Sequence, residues 1–214
     1  MSEQQNQQVV ARERKSVLVD MATRFGMEPN AFHATLMATV MPSNIAVTNE
    51  QFAAFLLVAK QYNLNPITKE IYAYPDRKGG IQPIVSIDGW MRMVNNHPQF
   101  DGMDFNDNLD GNGNLVSITC RMFRKDRAHP VEVTEYMSEC KQSTPTWAKW
   151  PARMLRHKTT IQAARYAFGF SGIYDEDEVA RMSVEPARQS IDVTPPPSAT
   201  PGRPSRLAAI VQNN

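Results

Sequence analysis

A chain of 214 residues, 42% hydrophobic and 21% charged, has room for one sizeable globular domain or a domain and a tail. No apolar run reaches membrane-spanning length, and Cys120 and Cys140, the only cysteines, are too few for a disulfide scaffold. The net charge of +1 says little by itself; where the charges fall along the chain says more. The polar start, MSEQQNQQVVARERK, lacks the apolar core of a secretory signal, so a soluble cytoplasmic protein with reduced, buried thiols is expected.

In chain order, Val9 to Phe25 has helical periodicity, and Pro29 can open a second helix ending near Met41. Thr48 with Gln51 makes a capping box for the helix TNEQFAAFLLVAKQYN, which Asn65-Pro66 then breaks. EIYAY and IQPIVSI, separated by DRKGG, predict a hairpin. Asp88 can cap a short helix through Trp90 and Met93. In LVSITCRMFR, Val116, Ile118, Cys120 and Met122 alternate with Thr119, Arg121 and Phe123, and VEVTEYM is its predicted partner strand. The segment WAKWPARMLRHKTTIQAARYAFGF, residues 147–170, and then DEDEVARM return to helix. From Gln189 onward prolines and small polar residues dominate, so residues 186–214 are expected to form a disordered tail. Its end, RLAAIVQNN, keeps Leu207, Ile210 and Val211 at helical spacing. The predicted class is α+β: a helical N-terminal part, central β-hairpins with a small antiparallel sheet, and a C-terminal basic helix.

Most candidates for chemistry fail on spacing. No G-x-x-x-x-G-K-[ST] loop occurs. Asn106, Asn108, Asp110 and Gly111 imitate part of a calcium loop, but its twelfth position would be Ser117, where a bidentate Glu is needed; a polar turn between strands is the better reading. The run Asp175 to Glu178 could serve a metal-dependent nuclease, although carboxylates at a helix start more often complement its dipole. His33, His97, His129 and His157 have no metal-ligand spacing. No catalytic centre emerges and no cofactor is expected.

The segment 147–170 holds five Lys or Arg, one His, five aromatics and no acid. On a wheel of about 100° per residue, Met154, Ile161 and Phe168 form one stripe with Ala164 close by. Lys158 and Arg165 lie along one edge of it and Arg153 and Arg156 along the other. His157 sits within the stripe. A solvated face normally mixes signs, so the missing carboxylates weaken that reading, and composition leaves a plain basic surface and a nucleic-acid partner both open. Arg121, Arg124, Lys125 and Arg127, and Lys69, Arg77 and Lys78 around the first hairpin, add cations that can converge on one groove. Aromatics interleaved with cations suit single-stranded nucleic acid; Trp147, Trp150 and Tyr166 are open as stacking candidates, whereas Phe168 reads as core.

The stretches QYNLNPITKEIYAYPD, VSIDGW, QFDGMDF, CRMFRKDRAHP and RMLRHKTTIQAARYAFGFSGIYDEDEVARM, in order from about Gln51 to Met182, resemble the Bet (Red-beta) family of phage single-strand annealing proteins. The resemblance implies ATP-independent binding and annealing of single-stranded DNA in homologous recombination, by rings or helical filaments of the protein, in the cytoplasm of a bacterial host. Magnesium would serve only as a counterion of DNA. Residues 1–185 would be the annealing and oligomerisation domain. A basic groove would be lined by Lys69, Arg77, Lys125, Arg153, Lys158 and Arg165, the C-terminal basic helix forming one wall. Arg121, Lys149 and Arg156 join them by proximity and charge. The chain departs from the family in KQSTPT, where a longer basic loop is expected, and in Ala152, where a lysine is expected and Lys149 can substitute. Family partners, a 5′–3′ exonuclease and the host single-strand DNA-binding protein, engage a folded C-terminal domain; here such contacts would fall to the Pro-rich tail and RLAAIV.

Overall fold

The computed structural model describes residues 16–76 and 79–179. Arg77, Lys78, the periodic residues before Ser16, the last three residues of DEDEVARM and the expected tail lie outside that range. Among the described residues three helices come first: α1 (Val17–Arg24), α2 (Pro29–Thr39) and α3 (Asn49–Gln61). Ser16 caps α1, and the Glu28 carboxylate caps α2 by accepting from the amides of Asn30 and Ala31. The Thr48–Gln51 capping box is formed in both directions. Helix α3 ends at Gln61, where Asn63 turns left-handed at φ 54° and the Leu64 amide donates back to the Ala59 carbonyl at 2.8 Å; the Asn65 side chain then accepts from the Ile67 amide at 2.9 Å in an Asx turn beyond the helix.

Strands β1 (Ile71–Pro75) and β2 (Ile81–Val85) form the expected hairpin, with Ile71 opposite Val85 and Pro75 opposite Ile81. Helix α4 (Ile87–Asn95) follows. Its cap is Ser86, whose Oγ accepts from the Gly89 amide, and not Asp88, which lies in the first turn where a carboxylate complements the dipole. Gly89 lets α4 seat on the hairpin: a Cβ there would stand 2.3 Å from the Glu70 carbonyl oxygen.

The second sheet has the order β3–β4–β5, all antiparallel: β3 (Phe100–Leu109), β4 (Leu115–Arg124) and β5 (Val131–Tyr136). Asn106 and Asn108 belong to the β3 ladder, opposite Thr119 and Ser117, and the turn is made by Asp110 to Asn114. The calcium-loop pattern is therefore strand and turn, as spacing indicated. Ile118, Cys120 and Met122 are buried on one face of β4; Val116, expected with them, is exposed where the β3–β4 register shifts between Asn108 and Leu109 and the alternation is interrupted. Burial pushes the Cys120 thiol up to about 12, leaving it unreactive.

The acid-free segment is two helices rather than one, preceded by the single turn α5 (Met137–Cys140). Helix α6 (Pro145–Lys149) ends at Trp150, which leaves the helical region at φ −133° and ψ 53° ahead of Pro151, and α7 (Pro151–Phe168) begins there. A proline ring disfavours helical backbone in the residue before it, so the break is local chemistry. Gly169, at φ 72°, ends α7 with a left-handed cap. Helix α7 packs on β4 and β5 on one side and on α4 on another. Its buried set is accordingly broader than the stripe expected from the wheel: Leu155, Thr159, Ala163 and Ala167 are buried along with Ile161 and Ala164, while Met154 and Phe168 are half-buried. The hydroxyls of Thr159 and Thr160 are satisfied by the carbonyls of Leu155 and Arg156, each at 2.8 Å.

Candidate nucleic-acid interface

A cleft of about 670 Å³ opens between the β1–β2 hairpin with the start of α4 and the flank of α7. Lys69, Ser86, His157 and Lys158 line it together with the acidic residues Asp88 and Glu176. Lys69 enters from the Pro66 turn in a left-handed conformation, φ 60°, which L-residues with a full side chain adopt at some cost.

Another wall is a strap, residues 173–179, that follows the end of α7 and runs parallel beside the end of β2, Tyr174 bridging to Ile84. The Val85 amide donates to the Tyr174 carbonyl at 2.9 Å. Asp175 caps the helical turn 176–179 by accepting from the amides of Asp177 and Glu178. Side chains from three elements then hold it. Tyr72 of β1 donates to Glu176; Trp147 of α6 donates through Nε1 to Asp177 at 3.0 Å; and from α7, Lys158 binds Asp175 and Asp177 while Arg165 grips Glu178 with both terminal nitrogens. Arg165 also donates to the Ile173 carbonyl at 2.9 Å.

Burial governs the electrostatics of the strap. It lifts the Asp175 carboxyl above its ordinary range despite Lys158. Burial also pushes Glu178 upward, but the Arg165 guanidinium and the Asp175 amide outweigh it and leave that carboxyl below its usual value. The Tyr72 phenol is raised by burial and by Glu176. The run Asp175 to Glu178, considered above for metal chemistry, is thus a dipole-complementing helix start with protein cations as partners. Among the described residues no group of three or more His, Cys, Asp and Glu is arranged to hold a metal ion.

The expected site residues fall into three situations. Lys69, Lys125, Lys149 and Arg153 make no ion pair with a carboxylate among the described residues. Arg121 and Arg156 are in exposed pairs, with Asp104 and Asp107 respectively, each closing at 2.7 Å. Lys158 and Arg165 are committed to the strap, and Lys158 is 8% exposed. Arg77 is outside the described residues.

Nor do all of them share one surface. Lys69 and Lys158 face the cleft. Lys149, Arg153 and Arg156 cluster around the start of α7, where Ala152, Arg153, Arg156 and His157 line a smaller concavity of about 260 Å³. Lys125 follows Arg124, whose guanidinium binds the Ala167 carbonyl near the far end of α7, roughly 21 Å along the helix from Arg153 at 1.5 Å rise per residue. Arg121 points to the face of the sheet opposite α7, because it alternates with Cys120 and Met122.

The aromatics also separate. Trp147 is fully buried and Phe168 packs among His97, Phe100 and Phe170, so both are core. Trp150 and Tyr166 are exposed, at 45% and 71%. Glu176, Asp177 and the strap as a whole were not foreseen as groove elements; the only hint in the sequence was an acidic run placed directly after an acid-free one.

Among the described residues no helix is long and apolar enough to cross a membrane. Comparison with known proteins agrees with the motifs. The pattern of the RecT family matches residues 30–192. The recombination protein bet of Escherichia phage lambda is 45% identical over 194 residues, which cover 85% of this chain and 71% of that protein. The chain belongs to the RecT family.

Proposed function

We propose that the protein binds single-stranded DNA and anneals complementary strands without ATP in phage-type homologous recombination, working as an oligomer, a ring or helical filament. Membership of the RecT family and the likeness to a phage recombination protein support this. The observation that carries it is physical: from Lys141 to Tyr174 the chain has no acidic residue, and Lys149 and Arg153 stand on its exposed surface without a carboxylate partner among the described residues.

The energetics sort the cations. An exposed pair contributes about 0–1 kcal/mol, so phosphates can replace Asp104 on Arg121 and Asp107 on Arg156 at little cost. Removing a partner from a buried pair costs about 3–5 kcal/mol, which a single phosphate contact does not offset. Lys69, Lys125, Lys149 and Arg153 are therefore the direct phosphate contacts in this reading, and Arg121 and Arg156 join them by exchange. Lys158 and Arg165 build the cleft wall. Arg77 is kept as a contact on the family resemblance alone.

Annealing needs no hydrolysis, since each base step formed releases roughly 1.4 kcal/mol. The obstacle is repulsion between two polyanions and the self-folding of free strands. A cationic surface that holds the backbone lowers both, and contacts to phosphate rather than base edges make it tolerant of sequence. Lining up many protomers retains a partial duplex by effective concentration.

The test mixes complementary fluorescent oligonucleotides without nucleotide cofactor. The protein is expected to accelerate pairing above the spontaneous rate. Slowed pairing would make it a passive single-strand coat, and digestion of labelled DNA in magnesium or manganese would make it a nuclease.

A further inference from the structure

Trp150 is a large aromatic side chain that the fold leaves outside. It belongs to neither cluster of buried hydrophobic residues and is 45% exposed, whereas Trp90 and Trp147 are fully buried. The α6–α7 break puts it there: Pro151 forces Trp150 out of helical backbone, so its ring does not follow Trp147 into the core. Two cations flank it. The Arg153 guanidinium lies 4.8 Å from the ring centroid and the Lys149 ammonium 5.4 Å. Arg153 also lines the concavity it shares with Ala152, Arg156 and His157, and Asp107 at that margin is taken up by Arg156.

We propose that Trp150, with Lys149 and Arg153, forms a base-stacking platform for one unpaired nucleobase of a single strand, the two cations taking the flanking phosphates. The proposal rests on the single-stranded DNA reading above and deepens it by assigning the base contact. Charge selects the occupant. The groups around the ring are positive, the chain on either side of it is free of acid for many residues, and an acidic backbone carrying flat apolar bases complements that arrangement. The small Ala152 side chain lines that concavity next to Arg153, the residue that also stands over the Trp150 ring. Stacking on a π-face tolerates all four bases, which is what an annealing surface requires.

The three tryptophans make the test direct, because only one is accessible. Full-length protein is titrated with dye-labelled oligo-dT, following polarisation for binding and tryptophan emission for Trp150. Emission is expected to be quenched as polarisation rises. Trp150→Phe should abolish the quench and keep most of the affinity, since phenylalanine still stacks. Trp150→Ala should weaken binding roughly five- to a hundredfold and erase the wild-type preference for oligo-dT over an abasic oligonucleotide of equal length. Binding without quenching, a quench that survives in Trp150→Phe, or unchanged affinity in Trp150→Ala overturns the platform. No polarisation change in any protein overturns the single-strand reading and the platform with it.

Discussion

Lys158 of α7 sits between Asp175 and Asp177 of the strap, bonded to the first and 3.1 Å from the second, with all three residues 8% exposed. A cation that the linear pattern offers to DNA is used instead to close the protein on itself. The cleft wall depends on it, since the same aspartates also cap the turn 176–179 and receive the Trp147 indole.

Removing that charge should therefore be costly. Lys158→Met leaves two buried carboxylates without their cation and is expected to lower stability by about 3–5 kcal/mol. Adding Asp175→Asn and Asp177→Asn to it should restore much of the loss, because neutral amides keep acceptors for the Trp147 and backbone donors. Urea unfolding of the single and triple variants measures both. A single variant as stable as the parent would remove the strap from the account.

Salt dependence separates phosphate contacts from wall-building cations. Each phosphate neutralised on a single strand contributes about 0.7 to the slope of log affinity against log salt concentration. Arg153→Gln and Lys125→Gln should each lower that slope by about this amount and leave the unfolding midpoint unchanged. Neutralising both partners of the other pair, Arg165→Gln with Glu178→Gln, should keep the slope, since the new amides can still donate to the Ile173 carbonyl and accept from the Asp175 amide. A reduced slope in the neutralised variant would instead make Arg165 a direct contact.

At Lys69 function and stability should move in opposite directions. The residue holds φ 60°, which glycine adopts freely, so Lys69→Gly is expected to raise stability by up to about 1 kcal/mol. The same change removes a cation from the cleft and should weaken binding of oligo-dT. Paired measurements of unfolding midpoint and affinity on one preparation check the two signs together.

Acid should destabilise the fold in two windows. His157 is held below its ordinary 6.5 by burial and by Arg153, against the pull of Asp88. His97 is held below it by burial and by Arg124, against Asp126. For both, the unfolded chain takes up the proton first, so their contribution is complete above about 6.5 and is lost as pH falls towards the depressed folded values. Asp104, Asp110 and Asp126 lie below their ordinary 3.8, chiefly through hydrogen bonds from Arg121, Asn114 and Arg124, and their contribution is lost only at lower pH. A His97→Gln, His157→Gln variant should flatten the stability curve between about pH 7 and pH 5 and leave the lower window in place. An unaltered curve in the upper window would assign the acid sensitivity elsewhere.

Features set by neighbours in the chain were legible in the sequence. The Thr48–Gln51 box, the Ile71–Val85 hairpin, the burial of Ile118, Cys120 and Met122 and the turn after β3 follow from spacings of two to four residues and from turn chemistry, and the fold contains them. The Trp150–Pro151 break was written there too, in the rule that proline restricts its predecessor, yet an acid-free run invites reading as one helix. The fate of each cation was not legible. A positive charge is specified by residue type, but whether it is spent inside the protein depends on which carboxylate the tertiary fold brings within reach. For Lys158 that carboxylate comes 17 residues later, and for Arg156 it comes from 49 residues earlier on β3. The sequence by itself determined the family, the α+β elements and the acid-free surface. Only the tertiary structure decided which cations are left without a carboxylate partner among the described residues, because ion pairing in a low-dielectric cleft is set by distance and burial and not by order along the chain.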